Sequence, residues 1–176
     1  MRKALAIALV LIAPTATLAQ RVNHSTGGCG PSNTNFTVKA ATGNGPGPAP
    51  ASGKALVYVA QVMENGPRQG QDDATTRVGV DGTWVGANHG NTYFYFSVDP
   101  GPHSVCVDWQ STLLARSKLA AAASLDARAG STYYFQVRTQ DPAGDDPGYV
   151  KLKLVDASEG RLLLGSSSGI TFTAKK

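Results

Sequence analysis

From Lys54 onward, apolar and polar side chains alternate with a period of two, the repeat of a pleated strand with one face buried. Val78 and Val80 alternate with polar neighbours up to Asp81-Gly82, a dipeptide suited to the φ > 0 positions of a tight hairpin, and Thr83-Trp84-Val85-Gly86 returns from it. Tyr93 to Val98 sends Phe94, Phe96 and Val98 one way and Tyr93, Tyr95 and Ser97 the other, before Asp99-Pro100-Gly101-Pro102 reverses the chain. The alternation resumes in Val105, Val107 and Trp109, then in Tyr133, Phe135 and Val137, and again in Val150, Leu152 and Leu154. Ala55 to Met63 differs. Val57 and Val59 on one parity and Leu56 and Tyr58 on the other are all apolar, as in a central strand covered on both sides.

Three segments are less regular. Residues 113–127, "LLARSKLAAAASLDA", are rich in alanine, which favours helix by propensity, but they lie between two strands and end at the Ala129-Gly130 turn, so a strand is expected from about Leu119. Asp156 to Leu164 is expected to form one short helical turn before a last strand at Ile170 to Thr173. Seven or eight short strands joined by Gly, Pro, Asn and Asp turns indicate an all-β fold, an antiparallel β-sandwich.

The first residues change where this domain is expected to reside. Met1-Arg2-Lys3, the apolar run Ala4 to Ala13 and the small residues around Thr17-Leu18-Ala19 read as a secretory signal peptide cut after Ala19. Residues 20–53 then form an N-terminal arm, with a possible strand at Phe36 to Lys39 and a Gly/Pro-rich linker "GNGPGPAPASG" at 43–53. The domain proper is 54–176. No stretch approaches the roughly 20 apolar residues of a membrane-spanning helix. The expected location is the periplasm or the outside of the cell.

Loss of Arg2 and Lys3 with the signal leaves 14 basic residues against 12 acidic, a net of +2. The basic residues are scattered along the sequence except for Lys175-Lys176, so a nucleic-acid partner is not expected. Cys29 and Cys106 are the two cysteines, and an even count in an oxidising compartment points to one disulfide. It would close a loop of about 77 residues, worth up to about 4.5 kcal/mol in chain-entropy terms. Lipidation of Cys29 is disfavoured, because it lies ten residues past Ala19.

The order Gly53-Lys54-Ala55-Leu56-Val57-Tyr58, Val78-Gly79-Val80-Asp81-Gly82, Val85-Gly86, Tyr93-Phe94, Pro100-Gly101, His103 and Thr132-Tyr133-Tyr134-Phe135 resembles a family of exported bacterial domains of the predicted-lipoprotein type. It also resembles the PEGA-type envelope module, with its "VDG…VG" hairpin and "V-x-P-G-x-H" strand. The resemblance covers about residues 53–165. It implies a prealbumin-like or Ig-like β-sandwich, no established catalytic residues and no cofactor.

The residues themselves argue against several chemistries. His103 and Cys106 stand three apart on a strand and so face opposite ways, unable to share a metal ion. Asp141, Asp145 and Asp146 lack the spacing of a calcium loop, and the proline and glycine around them already account for a loop. No nucleophile elbow, phosphate loop or dinucleotide fingerprint occurs. The expectation is a non-enzymatic module acting through its surface on an envelope protein or glycan. Trp109 shares parity with Val105 and Val107 and belongs in the core. Trp84, Tyr93 and Tyr95 form the candidate ligand or partner face, either open as a platform for a sugar or partner, or covered by the arm that a Cys29–Cys106 bridge would draw across it.

Overall fold

The computed structural model describes residues 29–41, 47–63, 74–111, 119–142 and 145–175; the expected signal peptide lies outside them, as do parts of the linker and of three loops. Among the described residues, ten strands and one helix follow in the order β1 (Asn35–Ala40), β2 (Ala55–Met63), β3 (Thr75–Val80), β4 (Thr83–His89), β5 (Thr92–Val98), β6 (Gly101–Trp109), β7 (Ala120–Ala127), β8 (Thr132–Gln140), β9 (Tyr149–Val155), α1 (Ala157–Gly165) and β10 (Ser168–Lys175). They form a six-stranded sheet, β1-β10-β5-β2-β8-β9, and a four-stranded sheet, β4-β3-β6-β7. The all-β sandwich is therefore present. Among the described residues no helix is long and apolar enough to cross a membrane.

Two features depart from the expected seven or eight antiparallel strands. β1 and β10 pair with each other and extend the six-stranded sheet. In addition, β2 beside β8 and β10 beside β5 are parallel pairs. The chain leaves the six-stranded sheet after β2 to build β3 and β4, returns as β5, leaves again for β6 and β7, and re-enters on the far flank of β2 running in its direction. The second parallel pair arises because α1 carries the chain from β9, at one edge, across the outside of the sheet to β10. α1 spans nine residues where a single turn is expected, and the Asp156 carboxylate caps it by accepting from the backbone N–H of Ser158 and Glu159.

The main core lies between the sheets. Val57 and Val59 of β2, Phe94 of β5 and Phe135 and Val137 of β8 meet Val78 of β3, Val105, Val107 and Trp109 of β6 and Leu125 of β7. Val78, Phe94, Val105, Val107, Trp109, Phe135 and Val137 have the inward parity that alternation assigns them. Of the ambiguous stretch 113–127, residues 113–118 lie outside the described residues, and Ala120–Ala127 is a strand, as its position demands, pairing antiparallel with β6.

One end of this core is polar. Gln61, Thr76 and Asn88 are 0% exposed. The Gln61 amide donates to the Ala74 carbonyl at 2.7 Å and accepts from the Thr76 hydroxyl at 2.6 Å; the Asn88 amide donates to the Val59 carbonyl at 3.1 Å. These bonds tie β2 in one sheet to β3 and β4 in the other, and so hold the two sheets in register.

At the opposite end the tight turns lock together. Asp81 takes φ 51° and Gly82 φ 81° in the turn between β3 and β4. His103 at the start of β6 contacts the Asp81 carboxylate through Nδ1 at 2.7 Å and the Asp99 carbonyl through Nε2 at 2.8 Å. The Ser104 N–H donates to the other Asp81 oxygen at 2.9 Å, and Lys54 Nζ pairs with Asp99 at 2.6 Å. The Asp81 hydrogen bond, then the Asp99 carbonyl, raise the His103 pKa above its ordinary 6.5 against the opposing effect of burial. Burial alone would raise Asp81, but its bonds from His103 and Ser104 outweigh that and its pKa is lowered.

Two outcomes follow from these contacts. Replacing Gln61 by Leu strands the Ala74 carbonyl and the Thr76 hydroxyl in the core and should lower the unfolding free energy by about 2 kcal/mol, measured by urea titration. A raised histidine pKa stabilises the fold fully below the unfolded value near 6.5 and loses that contribution as pH climbs through the folded value. The melting temperature should therefore decline as pH rises above about 6.5, and His103→Gln should remove that slope.

Candidate functional site

Alternation puts Tyr93 and Tyr95 of β5 on the side of their sheet away from the core, and pairing supplies their neighbours. Tyr58 stands opposite Tyr95 on one flank and opposite Tyr134 on the other. A row of tyrosines, Tyr95-Tyr58-Tyr134, thus crosses three strands on the outer face of the six-stranded sheet. The Tyr58 and Tyr134 rings stack at 5.4 Å with 9° between their planes, and Tyr95 leans on Tyr58 at 5.5 Å and 57°. Tyr93, one step along β5, lies 6.3 Å from Tyr58. Leu56 and Ala60 complete this second apolar layer.

α1 covers most of it. Leu163 and Leu164 pack against the tyrosines, and Gly160 sits so close to Tyr134 that a Cβ there would lie 2.2 Å from Cγ of the ring. Tyr58 and Tyr93 are buried, whereas Tyr95 is 45% exposed; Leu162, on the far side of the helix, is 74% exposed. Burial, and then the neighbouring tyrosines, push the Tyr58 phenol above its usual range, offset in part by a hydrogen bond with the Gly47 backbone. Tyr58 is therefore neutral at ordinary pH. The row can offer one open aromatic face with its hydroxyl, braced from behind by two further rings.

Trp84 is elsewhere. It lies on β4 in the four-stranded sheet, on that sheet's outer side, and the N-terminal segment crosses it. The indole N–H donates to the Pro31 carbonyl at 2.9 Å, and the Arg77 guanidinium lies 4.7 Å from the ring centre. Arg77 also grips Asp108 with two bonds, at 2.7 and 2.8 Å, and donates to the Thr34 carbonyl at 2.7 Å. Cys29 meets Cys106 of β6 here, their Cα atoms 5.7 Å apart and so within disulfide reach. Past Thr34, the Gln110 side chain both accepts from the Phe36 N–H at 2.6 Å and donates to the Phe36 carbonyl at 3.0 Å. The chain then joins the six-stranded sheet as β1.

The structure thus brings Tyr93 and Tyr95 together, and Cys29 and Cys106 together, but separates Trp84 from the tyrosines. The expectation that the Cys29–Cys106 bridge draws the arm across the tyrosine side is corrected. Cys106 belongs to the other sheet, so the bridge draws the first part of the arm over Trp84; the tyrosines are covered by α1, and of the arm only the linker end reaches them, with Gly47 at the Tyr58 hydroxyl. Parity identifies the outer face of a strand without saying which sheet that strand joins. Tyr58 and Tyr134 completed the row unforeseen; their signal was the tyrosine at matching parity in neighbouring strands, readable only once the register is known.

His103 and Cys106 face opposite sides of β6 as their spacing requires, one in the turn contacts and the other under the arm. Asp146 accepts from Gln140 and from the Gly148 N–H and so shapes its own loop. Among the described residues no group of three or more His, Cys, Asp or Glu side chains converges on a common point.

Gly79 makes room for the arm: a Cβ there would lie 2.2 Å from the Cys29 carbonyl oxygen. Gly79→Ala should displace the arm at a cost of about 1–3 kcal/mol. Faster labelling of Cys29 and Cys106 by a thiol reagent under limiting reductant would report the displacement.

No known family model matches the chain, and no curated protein matches it. Among solved structures the chain is similar to a protein from Eubacterium rectale determined by NMR, at 10% identity and a TM-score of 0.36, with 60% of this chain and 91% of that one covered.

Proposed function

We propose that the chain is a non-enzymatic, exported β-sandwich module of the prealbumin-like or Ig-like kind, acting as a structural or protein-interaction domain of the bacterial envelope. It needs no cofactor and resides in the periplasm or outside the cell after cleavage behind Ala19. The observation that carries this reading is where the reactive side chains are spent. His103 holds two turns together, Cys29 and Cys106 pin the arm, and Trp84 is bonded to that arm. What remains outward on the second apolar layer is a braced contact surface around Tyr95. Aromatic residues of this sort, apolar in body and polar at the tip, are suited to gripping a partner.

A second reading has its own support. A half-exposed tyrosine ring backed by a stacked pair is also a surface on which a sugar ring can lie, which makes Tyr95 the anchor of a carbohydrate- or small-ligand-binding face.

Expression in a bacterial host and sequencing of the recovered protein should give an N-terminus at Gln20. Recovery from the cytosol with residues 1–19 attached would overturn the export reading. The two binding readings diverge for Tyr95→Ala, which spares the buried Tyr93. On the interaction reading the variant should lose at least about threefold in cross-linked envelope protein and behave as wild type on cell-wall glycan. On the carbohydrate reading it is retention on glycan that should fall.

A further inference from the structure

The Gly/Pro-rich linker makes a contact that its composition does not call for. Of its residues, 47–53 are described, and 47–50 belong to neither helix nor strand. Pro48 and Pro50 hold φ near −65° by their rings, and Gly47 and Ala49, each preceding a proline, are pushed to the extended region. Residues 47–50 are thus biased to polyproline II, a conformation with three residues per turn and no internal hydrogen bonds. A spacer of that kind needs no partner on the domain. Gly47 nevertheless hydrogen-bonds through its backbone to the Tyr58 hydroxyl, and a Cβ on Gly47 would overlap that hydroxyl. Gly47 is half-buried there, while Pro48 and Ala49 stay exposed.

Proline-rich ligands dock on aromatic side chains, whose polar tips hydrogen-bond the backbone that polyproline II leaves unpaired. The contact of Gly47 with Tyr58 is that arrangement made within one chain. A backbone already held by its prolines has little freedom left to lose on docking. Tyr95 continues the row beyond Tyr58 and is 45% exposed, so the linker fills one end of an aromatic track and leaves the other end open. We infer that the partner of this face is a proline-rich extended segment of another protein, laid over Tyr95 and reaching the Tyr58 hydroxyl, with the chain's own linker as a built-in competitor. One turn of polyproline II rises about 9 Å, more than the 5.5 Å between the two rings. A segment lying on both therefore meets the place that Gly47 holds. The apparent affinity for the partner falls with the fraction of molecules in which that place is free.

This inference rests on the protein-interaction reading above and gives its partner a chemistry. The test is the fluorescence anisotropy of a labelled peptide GPGPAPA, a copy of residues 45–51, titrated with the full chain, with GAGAAAA as the control peptide. The wild type should bind the first at least about threefold more tightly than the second. Tyr95→Ala should weaken binding at least about threefold, while Tyr95→Phe, which keeps the ring, retains most of it. Gly47→Ala, which lifts the linker from Tyr58, should bind the peptide at least about threefold more tightly than the wild type. Circular dichroism of each variant should superimpose on that of the wild type. Equal binding of the two peptides, or undiminished binding by folded Tyr95→Ala, would overturn the inference, and unchanged affinity in Gly47→Ala would overturn the linker's part as competitor. Dimers of the wild type that Pro48→Ala/Pro50→Ala abolishes would move the occupant to a second copy and overturn the assignment to another protein. Binding of chitin oligosaccharides with none of the peptide would overturn it in favour of the carbohydrate reading. If neither the wild type nor Gly47→Ala binds the peptide while Tyr95→Ala still loses cross-linked envelope protein, the proline-rich partner is refuted and the interaction reading stands.

Discussion

A strand with no polar face must be covered twice, and β2 is such a strand. Its Val57 and Val59 side requires a second sheet, and its Leu56 and Tyr58 side requires something else. The sandwich answers the first demand. α1 answers the second, and much of its peculiar course follows from that duty: it must cross the outside of the sheet, and it carries a glycine where Tyr134 leaves no room for a side chain. The same crossing brings the chain down beside β5 rather than beside β9, which is why one of the two parallel pairs exists. Burial of apolar area on both faces, at about 25 cal/mol per Å², makes β2 the organising centre of the six-stranded sheet.

The four-stranded sheet meets its outer face differently. Among the described residues no helix lies there, and the N-terminal segment serves in its place. The segment is held by bonds of several kinds: the cysteine pair, the guanidinium of Arg77, the indole of Trp84 and the Gln110 side chain, which imitates a strand partner for Phe36. Because the segment continues into β1, it also ties the edge of one sheet to the edge of the other. The described part of the arm is thereby a structural member of the sandwich.

Much of this was legible in the sequence for a simple reason. Alternation and turn chemistry are local, and they placed β3, β4, β5, β6, β8 and β9, located the inward set, and put Tyr93 opposite to Phe94. Trp109 fell into the core on parity alone. What was not legible depends on pairing between distant strands. Which sheet a strand joins, whether its neighbour runs parallel, and that Tyr95, Tyr58 and Tyr134 stand in a row are facts of register. The buried Gln61, Thr76 and Asn88 were hidden for a related reason: each is an ordinary polar residue near a strand end, and only its partner across the sheets explains its burial.

The pairing of Asn35 with Lys175 joins residues about 140 positions apart, so contact order here is high and folding should be correspondingly slow. Until β10 has emerged from the ribosome, the six-stranded sheet lacks it. β1 then has no partner, and β5 keeps one bare edge. The six-stranded sheet therefore closes late, once β10 is available to pair with both.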